Sequence, residues 1–226
     1  MGLHDGHRDR MKRRFREHGA DVFDDHQLLE LFLFYSKARE DTNPLAHELM
    51  NRFGSLAGVF DASYDDLMKV NGVGEHVATA IRLMPQLMRR YEMSRSELKG
   101  ILYTTQEIGE FLQPYFFGAR NEMIYMISLD AKGKVLNCSL LGEGELNSAN
   151  LSSRKVVEVA LANRASAVVL AHNHTSGIAI PSREDVAATM MIRKLLDAMG
   201  IELTDHLVVA DGDFISMKDS GMLQGK

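Results

Sequence analysis

The hydrophobic pattern of this chain changes period near residue 93, and that change limits the possible fold more than any other feature. Between residues 9 and 91 apolar side chains recur at helical spacing. Leu28, Leu29, Leu31 and Phe32 form one such group, and Leu45, Leu49 and Phe53 another. Pro44 suits a first helical turn, and Gly54, Gly58, Gly72 and Gly74 punctuate short helices. The polar stretch MSRSELKG, ending at Gly100, reads as a linker. Beyond it, helical segments over 105–115, 152–164 and 182–199 alternate with strand-like runs over 123–129, 135–141, 167–171, 203–209 and 214–216. Joining these takes both hairpins and crossovers, which predicts a mixed sheet flanked by helices. The expected organisation is an all-α domain over residues 1–95 and an α/β domain over 101–226.

Composition narrows the function classes. The 226 residues are 45% hydrophobic and 25% charged, enough for two small buried cores. A net charge of −5 argues against a chain dominated by nucleic-acid contacts. Cys138 is the single cysteine, which excludes a disulfide framework and a cysteine-rich zinc cage and suits a reducing compartment. The opening MGLHDGHRDRMKRRFREHG lacks the apolar centre of a secretory signal. No apolar run reaches the ~18–20 residues of a membrane span. The expected setting is the cytoplasm, away from membranes.

The chemistry concentrates in AVVLAHNHTSGIAIPSREDVAAT, residues 167–189. A buried strand (Val168, Val169, Leu170) runs into His172-Asn173-His174. Residues two apart on an extended chain point to the same side, so both imidazoles can face one ion. A glycine-containing loop follows, then Ser182 before a helix whose first turn carries Asp185. Ser182-x-x-Asp185 has the form of a capping box, and capping is compatible with a carboxylate turned toward the two histidines. Two His and one carboxylate leave a fourth position open, the pattern of a catalytic rather than a structural zinc site.

His172-x-His174, seven residues, then Ser182-x-x-Asp185 resembles the signature of the JAMM (JAB/MPN) metallopeptidase superfamily. The longer run HNHTSGIAIPSRED, with TDHLVVADGDFISMKD downstream, is similar to the RadC family in particular, over about residues 100–219. The helical N-terminal region resembles the helix-hairpin-helix module that precedes this domain in full-length RadC proteins. The resemblance implies a JAB/MPN α/β domain with a deaminase-like layout, and Zn2+ held by His172, His174 and Asp185. Ser182 would steady a tetrahedral intermediate, and a glutamate from the start of an early strand would activate the attacking water. Glu122, at the head of EMIYMISLD, takes that place, with Glu143 and Glu145 as alternatives. The implied reaction is hydrolysis of an amide or isopeptide bond in a protein or peptide, and the family also carries a DNA-repair label. Two departures stand out: Thr175 replaces the proline usual in HNHPSG, and GEGELNSAN replaces the usual Gly-Thr before an Asn-containing turn. They bear on the rim of the site more than on its ligands. Asp205-His206 also matches the family. It would lie behind the ligands, because a metal-bound His commonly donates its other N–H to a carboxylate.

A second motif runs from Leu67 to Ile81, where Gly72-Val73-Gly74 links two apolar helices in the manner of a helix-hairpin-helix. Glycines let a backbone approach phosphate, and the following helix presents its N–H groups. Such contact is non-specific for DNA sequence. Glu75 opposes it and Lys69 is the nearby cation, while other hairpins of this form only pack helices together. The run Arg8, Arg10, Lys12, Arg13, Arg14, Arg16 is the stronger electrostatic candidate. The alternative to a hydrolase is therefore a DNA-binding accessory protein whose metal site is structural or vestigial. A zinc nucleobase deaminase would need His-x-Glu and Pro-Cys-x-x-Cys, which one cysteine cannot supply.

Overall fold

In a computed structural model, residues 5–38, 40–96, 100–144 and 153–223 are described. They form two compact units, residues 1–88 and 89–226, which divide within one long helix.

The first unit is helical: α1 (Asp5–His18), α2 (Asp25–Leu33), α3 (Asn43–Phe53), α4 (Leu56–Asp61), α5 (Tyr64–Met68) and the start of α6 (Glu75–Ser96). Local chemistry sets the ends. Pro44 occupies the first turn of α3, and Gly54 closes that helix at φ 80°, a left-handed conformation favoured by glycine. The hydroxyls of Ser55 and Ser63 accept from the backbone N–H groups of Gly58 and Asp66, each at 3.0 Å, and so start α4 and α5. Leu29, Leu33, Leu45, Leu49, Val59, Leu67, Val77 and Ile81 form the core. The apolar residues of α2 and its C-cap divide between two sides: Leu29 and Leu33 enter that core, whereas Leu31 and the C-cap residue Phe34 pack with Met11 and Phe23 beside α1. In the hairpin between α5 and α6, Val70 and Val73 are buried in the core.

The second unit holds α7 (Thr105–Phe116), β1 (Met123–Leu129), β2 (Val135–Glu143), α8 (Ser153–Ala162), β3 (Ala167–Asn173), α9 (Arg183–Ala198), β4 (Glu202–Ala210) and β5 (Asp213–Ser216). The sheet order is β2-β1-β3-β4-β5, with β3 and β4 parallel and the other neighbours antiparallel. Every residue of β1 is buried, since helices cover both faces. Met123, Tyr125, Ile127, Val169, Ala171, Leu207 and Val209 pack with α7. Ile124, Met126, Val168 and Leu170 pack with Val156 of α8 and with Ile192 and Leu196 of α9. This is the expected mixed sheet flanked by helices. Its alternation also assigns each polar strand residue to a face. Residues 93–96, read from sequence as linker, continue α6. Among the described residues no helix is long and apolar enough to cross a membrane.

Candidate metal centre

His172 and His174 stand at the C-terminal end of β3, and Asp185 lies in the first turn of α9. His172 follows Val168 and Leu170 in the strand's alternation and so points to the side covered by α9. His174 lies two residues on, held by its backbone N–H to the Val209 carbonyl at 2.9 Å. Between His174 and Asp185 the loop turns back at Gly177 (φ 78°). A Cβ there would stand 2.7 Å from a carboxylate oxygen of Asp211, so conformation and space both call for glycine. Ser182 then caps α9. Its hydroxyl accepts from the Asp185 N–H at 3.0 Å, and its own N–H donates to Asp185 Oδ2 at 2.8 Å. The Ser182 hydroxyl also donates to Oδ2, at 2.6 Å. The capping box and the candidate ligand are thus one structure, in which the cap aims the carboxylate.

The three side chains converge. His172 Nε2 lies 3.0 Å from His174 Nε2. The Asp185 oxygens lie 3.4 Å from each, Oδ1 from His172 and Oδ2 from His174. Each residue offers a ligand atom, and these atoms lie within 4.8 Å of one another. The donor set fits a metal ion. His174 Nδ1 faces the Ile178 carbonyl at 3.0 Å, and a carbonyl only accepts. The His174 N–H is therefore on Nδ1, which leaves the Nε2 lone pair turned toward His172 Nε2 and the carboxylate. The two ring nitrogens, 3.0 Å apart and each 3.4 Å from a carboxylate oxygen, are spaced as ligands of a single cation would be. A tetrahedral site with ligand bonds of about 2.0–2.1 Å has ligand–ligand edges of about 3.3 Å, near the 3.0 Å between the two nitrogens and the 3.4 Å from each nitrogen to its nearer carboxylate oxygen. Burial works against the charge of Asp185, but the facing His172 ring and the hydrogen bonds from Ser182 prevail and hold its carboxyl well below the usual carboxylate range.

Residues 102–222 match the family model of the RadC-like JAB domain, and residues 6–79 match that of the UPF0758 N-terminal domain. The chain belongs to the RadC family. Within this RadC-like JAB domain the remaining sequence candidates take definite places. Glu122 is partly buried immediately before β1. Asn173, between the two histidines, brackets it: Oδ1 accepts from the Met123 N–H at 2.7 Å, and Nδ2 donates to the Asn121 carbonyl at 3.2 Å. The Glu122 carbonyl accepts from the Gly144 N–H at 2.9 Å. Glu143 pairs across the ladder with Met123, which faces α7, the side away from the metal centre. Its carboxylate accepts from Asn121 Nδ2 at 3.2 Å. Glu145 lies outside the described residues.

The second-layer expectation needs correction in its chemistry. Asp205 is buried but binds elsewhere: it accepts from the N–H groups of His206 and Lys218, at 2.7 and 3.0 Å, and from the Ser216 hydroxyl at 2.5 Å. The group beside His172 Nδ1 is the ring of His206, at 2.8 Å, and no carboxylate. Complete burial opposes protonation of His206 and holds it well below the usual histidine range. Thr189, which drew no attention in the sequence, contacts His206 Nδ1 at 2.6 Å and donates to the Asp185 carbonyl at 2.6 Å. Its one local signal was its place four residues after Asp185, on the same helix face.

The basic N-terminal helix is partly spent on structure. Arg8 donates to the carbonyls of Lys37, Ala38 and Glu40 and lies over the Phe34 ring, 4.6 Å from its centroid. Arg14 donates to the Val22 carbonyl and covers Phe23, and Lys12 lies over Tyr35. Arg10, Arg13 and Arg16 are exposed.

Proposed function

We propose that this chain is a zinc-dependent hydrolase of the JAMM type that cleaves an amide or isopeptide bond in a protein or peptide. The observation that carries the reading is the convergence of His172 Nε2, His174 Nε2 and the Asp185 carboxylate, with the cap on Asp185 and the Ile178 carbonyl holding two of the three in position. The three residues would hold the ion and leave one side of it open. When bound, zinc would supply Lewis-acid polarisation of the substrate carbonyl and lower the pKa of a water from 15.7 toward about 7.

Glu122 is the proposed proton carrier. Ile124 pairs with His172 across the β1–β3 ladder. The alternation carried back one step sets residue 122 on the same side as Ile124 and His172, opposite residue 174. Asn173 holds the backbone on both sides of Glu122, so little conformational freedom would be lost when its carboxylate takes the proton from water. The same carboxylate would then pass that proton to the leaving nitrogen. Ser182 stands at the exposed mouth of the site, and its hydroxyl would turn from Asp185 to donate to the developing oxyanion. Cytoplasmic residence is part of the proposal, since the sequence, with its single cysteine, holds no pair for a disulfide and suits a reducing compartment.

The test is elemental analysis of the parent protein beside the His172→Ala/His174→Ala double variant after dialysis without chelator, followed by screening against peptides and isopeptide-linked conjugates. About one zinc per chain in the parent, little in the variant, and zinc-dependent cleavage are the expected results. Absence of metal from the folded parent would overturn the reading. A second reading is favoured by the exposed Arg10, Arg13 and Arg16: sequence-independent DNA binding by the N-terminal unit. It predicts DNA affinity that falls steeply with salt and survives the same double substitution.

A further inference from the structure

Behind the metal centre three side chains and one carbonyl form a continuous hydrogen-bonded line. His172 Nδ1 meets His206 Nε2 at 2.8 Å, His206 Nδ1 meets Thr189 Oγ1 at 2.6 Å, and Thr189 Oγ1 meets the Asp185 carbonyl oxygen at 2.6 Å. His206 and Thr189 are buried, and each of these bonds joins two protein groups. The direction of the line follows from its last member. A backbone carbonyl can only accept, so the single Thr189 proton goes to Asp185. With that proton committed, Thr189 Oγ1 can only accept from His206, which places N–H on His206 Nδ1. His206 Nε2 is then the acceptor, and the proton between the two rings sits on His172 Nδ1.

We propose that His206 and Thr189 are positioning residues that impose the Nδ1–H form on His172, so that its Nε2 is kept as a metal ligand. The inference rests on the metal-centre reading above and adds to it the device that prepares one ligand. His174 reaches the same form more simply, through the Ile178 carbonyl. The common partner for the second nitrogen of a metal-bound histidine is a carboxylate, a carbonyl or water. At His172 the partner is a second imidazole, which can hold either tautomer, so it must itself be held. Thr189 does that, and it borrows its own direction from the backbone of Asp185. The carbonyl of one ligand residue therefore sets the tautomer of another, across sequence separations of 17 and 34 residues. An imidazole in this place also orients His172 without adding a negative charge behind the ion, as a carboxylate would.

Thr189→Val removes the hydroxyl while keeping the shape of the side chain, and Thr189→Ser restores it. The tautomer of each ring is read on metal-free protein at about pH 8.5 from long-range 1H–15N correlations of the imidazoles. Metal binding is read as the Kd for Co2+ from its visible absorption. In the wild type His172 and His206 are both expected as Nδ1–H. In Thr189→Val the Nδ1–H form of His172 is lost and the Kd for Co2+ rises about 10- to 100-fold, and Thr189→Ser returns both toward the wild type. His172 carrying its proton on Nε2 in the wild type would overturn the proposal. So would a Thr189→Val protein with unchanged tautomer and Kd. Should the wild type take up no metal at all, the hydrolase reading falls, and the tautomer of His172 in wild type against Thr189→Val still decides the relay.

Discussion

His174→Ala is the substitution that most cleanly separates metal binding from folding. Its Nδ1–H bonds only the exposed Ile178 carbonyl, which water can serve once the ring is gone. Metal-free stability should therefore change by roughly 1–2 kcal/mol, the net worth of that hydrogen bond and of the Nε2 contact with His172. His172→Ala is less clean, because it would leave the enclosed His206 ring without its partner. A ligand that binds only the folded state stabilises it by about 2.7 kcal/mol at 100 times its Kd. For a unit of this size about 1 kcal/mol corresponds to roughly 4 °C in melting temperature. Zinc at that excess should then raise the wild-type midpoint by about 10 °C, and EDTA should reverse the shift. With one of three ligands gone, the same zinc concentration falls below the new Kd, and the shift should drop under about 2 °C. The assay is thermal unfolding followed by circular dichroism, each protein with zinc and with EDTA. Because the comparison is made within each protein, the metal-free cost of the substitution cancels. An undiminished zinc shift in His174→Ala would refute the ligand assignment, since the stabilising ion would then be bound elsewhere.

Glu122→Gln should keep one metal per chain and lose about 10²-fold or more of any hydrolysis measured, whereas Glu143→Gln, on the α7 side, should leave both unchanged; the reverse pattern would exchange their roles. His206 adds a pH dependence to the metal-free protein. Its folded pKa lies below the unfolded value of 6.5, so below about pH 6.5 the unfolded chain binds the extra proton and stability falls. Denaturant titrations should show a loss that approaches about 1.4 kcal/mol per pH unit and flattens in His206→Gln; an equal slope in both proteins would contradict this. Gly58→Ala places a Cβ 2.1 Å from the Phe53 carbonyl oxygen. Despite a helix-propensity gain of up to about 1 kcal/mol, it should destabilise the N-terminal unit by about 1–3 kcal/mol, read by chemical denaturation.

Several features were legible in sequence because they depend on neighbours a few residues apart. The period change marked the shift from helices to mixed α/β structure. An i,i+2 histidine pair leaving an apolar strand shares one side by the alternation of β-structure alone. Ser182-x-x-Asp185 announced both a helix start and the direction of its carboxylate, since a capping box is closed within four residues. The membership of α2 in two cores was not legible. Leu29 and Leu31 carry no mark of which neighbour each will meet.

What the sequence alone determined, then, was the set of candidate ligands and the local geometry that presents them. Tertiary structure decided what stands behind and beside them. The faces on which Glu122 and Glu143 lie depend on the register of β1 against β2 and β3, because a slip of one residue would turn the side chains of the slipped strand to the other face. The partner of His172 depends on the parallel pairing of β3 with β4, which brings His206 level with Leu170 and its ring to His172 Nδ1. Asp205 was the more plausible partner by chemistry, but adjacent residues of a strand face opposite sides, and only one of the pair could reach the centre. Burial then made the outcome strict: an enclosed ring must have both nitrogens satisfied, and Thr189 on α9 is what lies within reach.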